Sequence, residues 1–213
     1  MNAVRLRRKV VAVIVIALSG SGVLVATSAA PAAAVGGCAG KAYVNNNVDG
    51  TVSVITTATG AVSPPITVPS RPVGVAITPD GKHAYVANII AGTVSVITTA
   101  TSAVSAPITV GNGPDGIAVT PDGTHAYVTN AFARTVSVIT TATGALSPPI
   151  TVGNGPNGVA ITPDGTHAYV SNNGDGTVSV ITTATGAVSA PIIVGNGPIF
   201  MAICPARGTH NRR

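Results

Sequence analysis

The chain has 213 residues, 46% of them hydrophobic and only 8% charged, and it contains neither Trp nor Glu. Its formal charge of +5 includes four cations near the start, Arg5, Arg7, Arg8 and Lys9. Beyond them Lys41, Arg71, Lys82, Arg134, Arg207, Arg212 and Arg213 face six Asp, a near-neutral balance that lacks the basic patch nucleic-acid binding requires.

The first element is a leader. The basic cluster precedes an unbroken apolar run, Val10 to Leu18, and Ala32-Ala33-Ala34 offers an Ala-x-Ala cleavage site before Val35. This is the pattern of a secretory signal peptide over residues 1–34, succeeded by a folded domain over 35–213. A retained anchor helix is the competing reading. Ser19-Gly20-Ser21-Gly22 interrupts the run and leaves it short of the roughly 20 residues that span a bilayer. The expected location is therefore secreted or cell envelope.

Two cysteines, Cys38 and Cys204, bracket the rest of the domain. An even pair in an exported chain favours a disulfide. The alternative treats Val35-Gly36-Gly37-Cys38 as a lipoprotein box with Cys38 lipidated and membrane-attached. That reading leaves Cys204 unpaired in an oxidising compartment.

Between the cysteines the sequence repeats with a fixed 42-residue step. Ala-Tyr-Val recurs at Ala42, Ala84, Ala126 and Ala168, with Asn46, Asn88, Asn130 and Asn172 behind it, and Thr-Val-Ser-Val-Ile starts at Thr51, Thr93, Thr135 and Thr177. A period in the forties made of short β-type runs is the mark of propeller blades. Within the second copy, residues 74–78, 83–88, 93–98 and 103–110 are four runs rich in Val, Ile, Thr and Tyr, separated by turn-forming clusters. They predict antiparallel strands a, b, c and d. Pro79-Asp80-Gly81 supplies the a–b turn. Proline recurs in run d at Pro64, Pro65, Pro107, Pro148, Pro149 and Pro191; lacking an N–H to donate, it places run d at the outer edge. The glycine-flanked run a suits the crowded inner position. The fold class expected is all-β, a propeller of four-stranded antiparallel blades.

Tyr127-Val128-Thr129-Asn130, with the variants Tyr-Val-Asn-Asn, Tyr-Val-Ala-Asn and Tyr-Val-Ser-Asn in the other copies, resembles the YVTN family of β-propeller repeat proteins. The Val-Ser-Val-Ile and Thr-Ala-Thr segments, the Gly-x-Gly-Pro opening and the Thr-Pro-Asp-Gly turn agree over roughly residues 41–210. Thr56, Thr98, Thr140 and Thr182 stand where that family usually has Asp. The resemblance implies a propeller in an exported or surface setting and carries no catalytic residues.

The repeats are out of phase with the chain ends. The domain opens in strand b (Lys41 to Asn46) and ends in a lone strand a, Ile199-Phe200-Met201-Ala202-Ile203. That phase predicts four blades, with the last strand completing the first blade. Cys204 falls at the repeat position of Thr78, so a Cys38–Cys204 disulfide would staple the closure, worth roughly 2–4 kcal/mol. The same phase permits two chains to join as an eight-bladed dimer through Cys204 of one and Cys38 of the other. Closure within one chain is preferred for its higher effective concentration.

Few residues suggest chemistry. His83, His125 and His167 occupy equivalent turn positions and His210 comes after an insertion; equivalent turns diverge around a ring, so they read as solvated histidines and not as metal ligands. Asp80, Asp122 and Asp164 belong to turns. Asp175 sits in a fragment of a calcium loop that lacks the remaining ligands, and the Gly-Asn-Gly-Pro links open no helix for a phosphate. The expectation is a protein without catalysis, cofactor or metal, acting as a binding or surface scaffold. The alternative is a ligand- or cofactor-holding propeller of an enzymatic or redox system.

Copy-to-copy differences gather on one end of the ring, in the b–c turns and d–a links. Loops held by a rigid scaffold are where binding residues collect. Ile89, Ile90, Phe132 and Arg134 are the expected anchors for an unknown protein or envelope ligand, with Asp49, Asp175, Arg71 and Asp115 adding variation. Drift in unconstrained loops is the competing reading.

Overall fold

The computed structural model describes residues 38–69 and 71–204; the expected leader 1–34 and His210 lie outside the described residues. The first blade consists of β1 (Lys41–Asn46), β2 (Thr51–Thr56) and β3 (Ile66–Thr67). The second holds β4 (Pro72–Ile77), β5 (His83–Asn88), β6 (Thr93–Thr98) and β7 (Ile108–Thr109). The third holds β8 (Pro114–Val119), β9 (His125–Asn130), β10 (Thr135–Thr140) and β11 (Ile150–Thr151). The fourth holds β12 (Pro156–Ile161), β13 (His167–Asn172), β14 (Thr177–Thr182) and β15 (Ile192–Ile193). Every pairing is antiparallel between chain neighbours, and each sheet runs in sequence order from its inner to its outer strand. The chain is an all-β propeller.

Proline explains the short outer strands. Run d touches strand c first through one isolated bridge, Ile55↔Val62, Ile97↔Val104, Ile139↔Leu146 or Ile181↔Val188. One or two prolines then break the ladder, and pairing resumes for only two residues. A broken, proline-bearing edge offers no template for another chain.

Alternation in strands b and c gives each blade two apolar faces, and the core lies in the seams between blades. Tyr43, Val52, Val54, Ile66 and Val68 of the first blade pack on Val75, Ala84, Val86 and Ile97 of the second. The same seam is rebuilt one repeat on, where Tyr85 and Val94 meet Ile117, Ala126, Val128 and Ile139. It recurs where Tyr127, Val136 and Val138 meet Ala168, Val170 and Ile181. Each buried Val or Ile side chain contributes about 1.5–3 kcal/mol by leaving water. The repeated tyrosines are thus packing residues, and burial pushes the Tyr43, Tyr85 and Tyr127 phenols up.

The inner strands run past one another almost without side chains. A one-residue register shift lies between Pro72 and Val75, between Pro114 and Ile117, and between Pro156 and Val159. The bulge contains Gly74, Gly116 and Gly158, and a Cβ on these would drive into the carbonyl oxygens of Asp115, Asn157 and Ile199. Glycine is required there by close approach of backbone to backbone.

The expected closure differs in two respects. Among the described residues the first sheet has three strands, and Ile199–Ile203 forms no strand with β1. Instead the Ile199 carbonyl accepts from Gly158 N–H at 2.9 Å and from Ser171 Oγ at 2.6 Å, which holds the segment beside the fourth blade. Cys38 and Cys204 are consequently unbonded, Cys38 half-buried and Cys204 exposed.

Candidate partner-binding face

The b–c turns stand on a buried amide. Asn88 Nδ2 donates to Thr93 Oγ1 at 3.2 Å and Ser95 Oγ at 3.0 Å. Asn130 does the same to Thr135 and Ser137, Asn172 to Thr177 and Ser179, and Asn46 to Thr51 and Ser53. Each Asn therefore ties the end of strand b to strand c. Gly111 and Gly153 lie flush against Asn130 and Asn172, with no room for a Cβ. The repeated Asn is the foot of the turn.

What the turns present is apolar. Ile90 is 59% exposed and Phe132 66%, and the two occupy the same turn position in successive blades. The repeat step also places Val48 there, and it is 86% exposed. The fourth copy has Gly174 at this position. Three successive blades thus show a row of bare hydrophobic side chains at one end. Val48 has no signal of its own in a sequence full of valine. Only its repeat register, one copy before Ile90, marks it.

Two arginines flank the row in backbone positions made for glycine. Arg71 has φ 60, where the other copies have Gly113, Gly155 and Gly197. Arg134 has φ 57, where the others have Gly50, Gly92 and Gly176. A left-handed conformation costs an L-residue roughly 1–2 kcal/mol. Both arginines are exposed, and Arg71 Nε donates to Asn47 Oδ1 at 3.3 Å across the first seam. Strain at an exposed, charged loop position motivates a functional reading of that position.

The remaining expected residues divide. Asp49 is exposed on its turn. Ile89 is half-buried and its N–H donates to the Arg71 carbonyl at 3.1 Å. Asp175 is exposed, but its carboxylate accepts from Asn154 N–H at 2.6 Å and braces the link that enters its own blade from the third. Asp115 is not part of a loop. It sits in the β8 bulge on the inner edge, where Asn157 Nδ2 donates to its Oδ2 at 2.7 Å. Burial pushes this carboxyl up, and the Asn157 amide partly offsets that. The bulge re-aims the residue inward, which a repeat read without its register does not reveal.

The opposite end is uniform. Asp80, Asp122 and Asp164 accept from Thr78, Thr120 and Thr162 and from the N–H groups of Lys82, Thr124 and Thr166. These bonds pull all three carboxyls down, Asp164 to about 2. His83, His125 and His167 begin strands b, and Thr124 and Thr166 hydroxyls sit 2.8 Å from the Nδ1 of their neighbouring histidines. The described residues bring together no three His, Cys, Asp or Glu side chains that could hold a metal ion.

A family model described as "Lactonase, 7-bladed beta-propeller" matches residues 75–191. No curated protein matches the sequence. Among solved structures, Kuenenia stuttgartiensis Hydrazine Synthase is similar with a TM-score of 0.69 and 28% identity, covering 75% of this chain. The match takes in 47% of that chain, so the present chain spans about half its length.

Proposed function

The chain belongs to the Lactonase, 7-bladed beta-propeller family, and from that premise we propose that it is an exported, non-catalytic member that binds a protein or cell-envelope partner through its b–c loop end. The observation that supports this reading is the row Val48, Ile90 and Phe132, exposed at one turn position of three blades and flanked by Arg71 and Arg134. Exposed apolar groups repeated at one end of a rigid scaffold support an interaction site there, and an aromatic side chain near an arginine, as at Phe132 and Arg134, matches the composition of interface cores. The fitting partner is an apolar surface carrying acidic groups. Crosslinking in the native cell envelope, with the chain and its Ile90→Ser/Phe132→Ser variant side by side, tests it. The variant loses the crosslinked partner while its melting curve stays put; an unchanged partner set removes the proposal.

A second reading rests on the family description and on the name of the structural neighbour. Asp115, on the inner edge beside Asn157 with its carboxyl raised by burial, is the group a hydrolytic site would use. Lactone hydrolysis by the purified chain that disappears in Asp115→Asn favours this reading over the first.

A further inference from the structure

In each complete blade the Thr that closes run a touches the Asp of the a–b turn. Thr78 Oγ1 donates to Asp80 Oδ1 at 2.7 Å, and Thr120–Asp122 and Thr162–Asp164 repeat it at 2.5 Å. One repeat step forward from Thr162 is Cys204, and one repeat step back from Asp80 is Cys38. The two cysteines therefore hold the two touching positions of one further a–b turn, whose halves lie at opposite ends of the chain.

Each half is already seated. On the N-terminal side, Thr57 N–H donates to the Gly40 carbonyl at 2.8 Å, the counterpart of Thr99 to Lys82 at 2.9 Å. Cys38 packs against the first seam. On the C-terminal side, the Ser171 hydroxyl donates to Ile199 O as Thr129 donates to Asn157 O. Ile199 thus stands where the second residue of a following inner strand belongs, with no β1 beside it.

The end faces carry matching seam chemistry. On the fourth blade Tyr169, Val178 and Val180 are only half-buried, while Ile192 is 47% and Val194 54% exposed, against 7% and 6% for their counterparts Ile66 and Val68. On the first blade Ala42, Val44 and Ile55 are half-buried, although the same positions are fully covered in every other blade. One face is the covering half of a seam and the other the covered half. A four-bladed ring turns roughly 90° per blade, whereas seven or eight blades need only roughly 51° or 45°. The seven-blade family and the two uncovered faces both fit the shallower arc.

We propose that two copies of this chain close head to tail into one ring of eight blades. Each copy supplies Ile199–Ile203 as the inner strand of its partner's first blade, beside the partner's β1, and Cys204 bonds to the partner's Cys38. Head-to-tail contacts close into a ring when the rotation permits, and strand addition satisfies the β1 edge that has no partner strand among the described residues. For each bond two thiols lose two electrons and two protons to a small disulfide oxidant, which leaves as two thiols.

The full chain, purified reduced and then treated with glutathione disulfide, is measured by light scattering and non-reducing mass spectrometry. The expected mass is twice that of one chain. An equal mix of heavy- and light-isotope chains, combined before oxidation, yields Cys38–Cys204 peptides with one heavy and one light half. A monomer, or linked peptides of one isotope only, overturns the proposal. Cys204→Ser should still dimerise without the bond at high concentration. Adding Ala202→Pro, in a segment that is not a strand in the single chain, should abolish that dimer; a dimer that survives Ala202→Pro refutes the strand exchange.

Discussion

The Tyr85 hydroxyl donates to the carbonyl oxygen of Thr141 at 3.3 Å, so one side chain spans the seam between the second and third blades and ends on a turn of the far blade. Removing only this bond, with Tyr85→Phe, should cost about 0.5–1.5 kcal/mol. Truncating the ring, with Tyr85→Ala or Tyr127→Ala, should cost about 3–5 kcal/mol. Tyr169→Ala, on the half-buried face of the fourth blade, should cost markedly less in the reduced monomer. Urea unfolding of the four variants measures the order, and equal losses at Tyr127 and Tyr169 would contradict the open arc.

Gly116→Ala places a methyl against the Asn157 carbonyl on the inner edge. Overpacking of this kind should destabilise by about 1–3 kcal/mol. Arg134→Gly runs the other way. Relief of about 1–2 kcal/mol of left-handed strain exceeds the roughly 0.4–1 kcal/mol of chain entropy that glycine adds to the unfolded state. A net gain of about 0.5–1 kcal/mol is expected from that difference, with partner capture weakened if Arg134 is an anchor. Urea unfolding of both variants reads the two signs.

Acid should weaken the fold through the turn carboxylates. Asp80, Asp122 and Asp164 have folded values below their ordinary ones, Asp164 at about 2. Their contribution is complete above the usual carboxylate range and is lost as pH falls through it towards about 2. Asp164→Asn should lower the melting temperature at neutral pH and make no difference in strong acid. Thermal melts across the acid range read the effect directly.

Asp115 carries the opposite sign. Its folded value is raised by burial, so the fold favours its neutral form, and that advantage is present in acid and lost as pH rises through the folded value. Asp115→Asn should therefore raise the melting temperature at neutral pH and leave it unchanged in acid. A loss at neutral pH would show that the Asn157 bond outweighs the burial of charge.

The repeat step, the turn at Pro79-Asp80-Gly81 and the prolines of run d each have a local physical cause, which is why strands, hairpins and the outer edge were legible in the sequence. The packing role of the tyrosines was legible for the same reason. Closure was not. Whether Ile199–Ile203 lies beside β1 depends on the rotation between blades, a sum of small angles that the composition of one repeat does not encode. Asp115 was misplaced because a one-residue bulge, invisible to alternation, turns it from link to inner edge. On the loop end, Phe132 and Ile90 stood out by size, while Val48 blended into its valine-rich surroundings.

The side-chain-poor inner strands have a further consequence for how such a chain can change length. Because Gly74, Gly116 and Gly158 meet the same carbonyl of the next copy, and each seam is assembled from the same positions, any blade is a chemically acceptable neighbour for any other. Duplicating or deleting one in-frame repeat unit creates no new kind of contact. Blade number is therefore the property of this architecture that can change with the least rearrangement of its contacts.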